Sequence, residues 1–99
     1  MAVYKVRFSP EAALEVERAA EWYACRSVIA AEAFVNEIDA AITEVRQLPE
    51  AWPPYRHKYR RRVLSRFPFS LVYRINEHLI EIVAVVHDKK RPGYFEGPN

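Results

Sequence analysis

Cysteine occurs once and glycine twice in these 99 residues, and both scarcities exclude chemistry. A lone Cys25 cannot form an internal disulfide, which fits a reducing compartment. Glycines only at 93 and 97 leave no room for a phosphate-cradling glycine loop or a nucleophile elbow. His57, His78 and His87 lie too far apart to make a metal motif, so neither metal nor cofactor is expected. Long apolar runs are missing too, because the longest candidate, Leu79 to Val86, is broken by Glu81. The opening MAVYKVRF is too short and too charged for an export signal, so a soluble, cytoplasmic protein with no membrane partner is expected.

The most informative absence is of acid. Between Ala51 and Asn76 stand seven cations (Arg56, Lys58, Arg60, Arg61, Arg62, Arg66 and Arg74) and no Asp or Glu. Residues 1–50 carry five basic and nine acidic side chains, and residues 51–99 carry ten basic and four acidic. An anionic partner for the second half follows from that asymmetry. The alternative is a merely solvated basic face.

What is present is a globular composition, 51% hydrophobic and 13% aromatic, at a length that suits one domain spanning 1–99. Val3 to Phe8 alternates as a half-buried strand. Ser9-Pro10-Glu11 opens a helix with a hydroxyl cap, a proline in the first turn and an acid at the positive end of the dipole. That helix is expected to reach about Ala24. Its acidic positions, Glu15 among them, read as a solvated face. Ser27 caps a second helix, in which Ala31, Phe34, Ile38, Ala41, Ile42, Val45 and Leu48 recur at helical spacing until Pro49. The short break between them predicts an antiparallel helical hairpin.

Glu50 to Lys58, with two prolines, reads as a loop. Strands are expected at Tyr59–Ser65, Phe69–Ile75 and Leu79–His87, the last two joined at Asn76-Glu77-His78. The order β-α-α-β-β-β predicts an α+β domain of two layers, a mainly antiparallel sheet with the hairpin on one face. Alternation directs Tyr4, Val6, Phe8, Phe69, Leu71, Tyr73, Ile75, Ile80, Ile82, Ala84 and Val86 towards the helices. Ser70, Val72, Arg74, Val83, Val85 and His87 then take the opposite face, and Arg60 and Arg62 are expected to be exposed there. Trp22, Tyr23, Phe34 and Phe69 read as core, as does Cys25.

For chemistry, His87 ends the last strand and is followed by Lys89, Lys90, Arg91 and Tyr94. Cleavage of RNA by its own 2′-hydroxyl needs a base, an acid and cations to hold phosphorane charge, all available without metal. On that reading His87 or Tyr94 moves a proton, while Arg60, Arg62, Arg74, Lys90 and Arg91 hold phosphate. The plainer reading makes His87 a strand terminus and Tyr94 a packing residue.

The segments VRFSPEA, AAEAFVNEIDAAI, QLPEAWP, RRRVLSRFPFSLVYRI and IVAVVHDKKRPGYF, in this order and spacing, resemble the RelE/ParE superfamily of type II toxin–antitoxin toxins. Within it they are most similar to the plasmid stabilisation branch. The resemblance implies a toxin neutralised by a cognate antitoxin in a hetero-oligomer. Val72, Val83 and Val85, expected as exposed apolar residues on the open sheet face, are the expected antitoxin seat. It implies one of two targets, DNA gyrase for ParE-like members or mRNA on the ribosome for RelE-like members. A non-toxic stabilisation module is the third reading. Ser70 stands where RelE-like nucleases typically carry an arginine, which favours the ParE-like or another non-nucleolytic target. If the chain is an enzyme at all, a metal-independent endoribonuclease is implied.

Overall fold

Two serines start the helices in the computed structural model, which describes residues 3–89. Ser9 Oγ accepts from the Ala12 amide ahead of α1 (Pro10–Ala24), and Ser27 Oγ accepts from the Ala30 amide ahead of α2 (Val28–Gln47). Each satisfies one of the amides that a helix start leaves unpaired. The strands are β1 (Lys5–Phe8), β2 (Pro54–Tyr55), β3 (Tyr59–Val63), β4 (Phe69–Asn76) and β5 (Leu79–His87), arranged as β1-β5-β4-β3-β2. Among the described residues, only the β1–β5 pair is parallel. The expected α+β fold is therefore observed, with the two-residue β2 added inside what reads as a loop. Pro54 sits on that edge strand, where a missing amide costs no ladder bond.

The helices cover one sheet face. Ala12 and Ala19 of α1, and Phe34, Ile38, Ala41 and Val45 of α2, pack on Leu71, Tyr73, Ile80, Ile82 and Val85. Tyr73 is fully buried, its hydroxyl donates to the Pro49 carbonyl at 2.5 Å, and burial pushes its pKa up to about 12, against a smaller lowering by Arg60. Among the described residues, no helix is long and apolar enough to cross a membrane.

Several expected orientations are corrected. In the β4–β5 ladder Tyr73 faces Ile82 while Val72 faces Ala84, so Val83 is an extra residue, a β-bulge. Past the bulge the parity of β5 reverses. Ala84 and Val86 join Val72 on the far face, and Val85 turns in against the helices. Val72 and Val85 are buried and Val83 is half-buried, so these three do not form an exposed apolar strip. The β3–β4 register pairs Arg60 with Tyr73 and Arg62 with Leu71, which puts both arginines on the helix side rather than the far face. Cys25 and Trp22 are exposed at the end of α1, outside the core where spacing had put them.

Candidate functional site

The bulge shapes a groove beside α1, and α1 holds the bulge. The Ser9 amide donates to the Ile82 carbonyl at 2.9 Å, and the Ser9 hydroxyl donates to the Val83 carbonyl at 3.2 Å. Nearly two turns further on, the Glu15 carboxylate accepts from the Val85 amide at 2.8 Å, pairing a main-chain donor within the irregular stretch. Glu15 therefore belongs to the sheet as much as to the solvated face its spacing indicates.

Between α1 and the ends of β4 and β5 lies a groove of about 540 Å³, lined by Glu15, Arg18, Ala19, Trp22, Tyr23, Pro68, Phe69, Val85 and His87. Its base is continuous with an aromatic cluster. Phe34 stands 5.3 Å from Tyr23, 5.4 Å from Phe67 and 5.3 Å from Phe69 between ring centroids, mostly in edge-on geometry. Trp22 remains 54% exposed at the rim, with the Arg26 guanidinium 3.6 Å above its ring. The His87 ring meets Phe69 edge-on at 5.2 Å, and its Nδ1 accepts from the Lys89 amide at 3.2 Å. A neutral imidazole so held carries its proton on Nε2.

The basic stretch is largely paired by acids from elsewhere in the chain. Arg62 donates to Glu44 of α2 at 2.7 Å and lies 4.8 Å from the Trp52 ring. Arg66 pairs with Glu37 at 3.7 Å, and the same carboxylate accepts from the Ser65 and Arg66 amides. On the far face Arg61 reaches Asp88 at 3.4 Å and donates to the Ser70 hydroxyl at 3.1 Å, and that hydroxyl donates to Asp88 at 2.8 Å. Ser70, fully buried, thus serves as both donor and acceptor. Arg74 and Arg7 flank Glu81, with Arg74 at 2.6 Å. The hydrogen bond from Arg7, followed by that from Arg74, holds the Glu81 carboxyl below its ordinary 4.5. Arg60 differs from these, since its guanidinium donates to the carbonyls of Trp52 at 2.7 Å and Glu50 at 3.3 Å.

Among the described residues, those singled out for RNA chemistry do not converge. His87, expected on the far face, instead faces the helix-side groove because the bulge reverses the parity of β5; Arg62 lies on the same sheet face but tied to α2, and Arg74 is on the opposite face. Lys90, Arg91 and Tyr94 lie outside the described residues. Sequence reasoning missed the groove's Arg18 and the partners Glu37, Glu44 and Asp88. The one available signal was the run IVAVV, whose lack of clean alternation is what a bulge produces.

The sequence places the chain among the toxins of type II toxin–antitoxin systems. The chain belongs to the ParE toxin family, matching the model for the ParE toxin of the type II toxin–antitoxin system parDE over residues 6–92. Among solved structures it is similar to a chain of the chromosomal ParDE TA system from P. aeruginosa, with a TM-score of 0.76 and 19% identity. That match covers 86% of this chain and 96% of the other. At that identity the likeness bears on the fold alone. No relative among curated proteins matches.

Proposed function

We propose that the chain arrests growth without cleaving RNA, with DNA gyrase as its target, and that a cognate antitoxin silences it by laying an apolar segment in the α1–β5 groove. The observation that carries the first part is the separation of His87 from Arg61 and Arg74 by the thickness of the sheet. Metal-independent RNA cleavage needs proton-transfer groups and phosphate-holding cations on one substrate. Arg61 is moreover paired one to one with Asp88, which lowers its availability for a phosphate. The buried Ser70 hydroxyl, where related nucleases carry an arginine, points the same way.

The groove supports the second part. It is concave, mainly apolar, and carries a half-exposed tryptophan at its rim, features of a protein-binding surface. It replaces the strip of Val72, Val83 and Val85, two of which are buried.

Pulse labelling after induction tests the target. DNA synthesis is expected to stop before translation, and the purified chain is expected to inhibit supercoiling by gyrase. Early loss of translation with cleaved mRNA would instead assign the RelE-like activity. Co-expression tests the groove: Trp22→Glu is expected to keep growth arrest while the antitoxin no longer rescues it. Full rescue of Trp22→Glu would place the antitoxin elsewhere.

A further inference from the structure

The end of the β3–β4 pair carries cations that the ion-pair network leaves over. Two adjoining clefts of about 300 and 250 Å³ share Lys58 and Ile75. The first adds His57 and Arg60, the second Arg74 and Asn76, and no carboxylate lines either one among the described residues. We propose that these clefts form a docking site for the phosphodiester backbone of a nucleic acid, centred on Lys58.

The charge is countable. Arg60 is fixed by two neutral carbonyls, which orient the guanidinium without cancelling its charge. Arg74 shares the single carboxylate of Glu81 with Arg7, so that trio retains one positive charge. Lys58 Nζ lies 5.7 Å over the Tyr59 ring, a contact that leaves the ammonium charged and exposed. The cations lining the two clefts, with their ion-pair partners counted, therefore carry about three positive charges on both sides of the sheet, where they attract phosphates spaced along a strand.

The turn that presents them is held in an uncommon geometry. Arg56 and His57 have φ of 50° and 55°, the left-handed region that a non-glycine residue seldom adopts. Such conformations cluster where a side chain must be aimed at a ligand. An acidic polypeptide fits less well. The neighbouring edge strand β2 is two residues long and begins with Pro54, a poor template for strand addition. The clefts also offer few apolar anchors beyond Ile75, Pro54 and Tyr59, whereas cations interleaved with a tyrosine suit a nucleic-acid chain.

Fluorescence anisotropy of the full chain, made by cell-free translation, with labelled 20-nucleotide single-stranded DNA, duplex DNA and RNA tests the site without gyrase or antitoxin. Three phosphate contacts on duplex DNA predict a log–log salt slope of about −2.7, and Lys58→Ala should reduce it in magnitude by about one. Lys58→Glu should abolish binding at low salt while the circular dichroism spectrum is unchanged, and Lys89→Ala should leave affinity as it is. Whichever nucleic acid binds best names the source. Failure of all three to bind, binding indifferent to Lys58→Glu, or a polyglutamate peptide that binds with the same Lys58 dependence would overturn the proposal.

Discussion

The two faces of the sheet are built from different materials. Towards the helices the contacts are large and apolar: Phe34 sits among Tyr23, Phe67 and Phe69, over Leu71, Tyr73, Ile80, Ile82 and Val85. On the far face a small aliphatic cluster, Val72, Ala84 and Val86, is framed by Tyr55, Tyr59 and Val83. Around it run two polar chains, Arg7–Glu81–Arg74 and Arg61–Ser70–Asp88. The helix face therefore holds the fold by volume, and the far face holds its register by charge and hydrogen bonding. Substitutions on the first should act through stability, whereas those on the second should act mainly through pH and salt.

The largest test of that contrast pairs two truncations. Phe34→Ala opens a cavity at the centre of the aromatic cluster and is expected to cost about 3–5 kcal/mol. Val72→Ala, equally buried on the far face, removes far less volume and should cost about 2 kcal/mol. Denaturant unfolding of both variants checks the ranking, and equal losses would mean that the far face carries as much of the core as the helix face.

A middle-sized effect separates two arginines of the basic stretch. Arg62 is buried, bonds Glu44 and lies against Trp52, so Arg62→Ala removes packing as well as charge and is expected to cost about 1–3 kcal/mol. Arg61→Ala, on the far face, leaves the bond between Ser70 and Asp88 in place and should cost less, about 1 kcal/mol or below. Double-mutant cycles with Glu44→Ala and Asp88→Ala read the two couplings directly. A larger coupling for Arg61 would reverse the assignment of structural weight.

These contrasts also mark how far the residues speak for themselves. Ser9, Pro10, Ser27 and Pro49 announce the helix ends because capping is decided within one turn of chain, and the structure places caps and ends at those positions. The same is true of Phe34, Ile38, Ala41 and Val45, whose spacing exceeds any competing period. The parity of β5 beyond Ile82 was not legible, since Val83, Val85 and Val86 are interchangeable in hydropathy. The bulge depends instead on Ser9 and Glu15, seventy or more residues earlier. The facing of Arg60 and Arg62 was hidden for a related reason. YRRRV has no apolar alternation, and its direction is set by pairing with Leu71 and Tyr73. Local counting also overstated the positive surface, because Glu37, Glu44, Glu81 and Asp88 neutralise the basic stretch from other elements.

The smallest effect reads the far face by pH. Glu81 is held below its ordinary 4.5, by the hydrogen bond from Arg7 first and that from Arg74 second. A carboxyl lowered in the folded state contributes stability that is fully present above the unfolded pKa and is lost as pH falls through the folded one. The Arg7–Glu81–Arg74 chain should therefore stabilise the protein at pH 7 and fade as pH falls from about 4.5. Glu81→Gln should remove that part of the acid dependence while leaving two guanidiniums side by side without a carboxylate. The pair Arg7→Gln with Arg74→Gln should flatten the same stretch of the profile by returning Glu81 to its ordinary range. Urea unfolding at stepped pH distinguishes these outcomes. If Glu81→Gln and the parent protein lose stability in parallel from pH 5 to pH 3, the ladder contributes nothing, and the register of β1, β5 and β4 rests on backbone pairing alone.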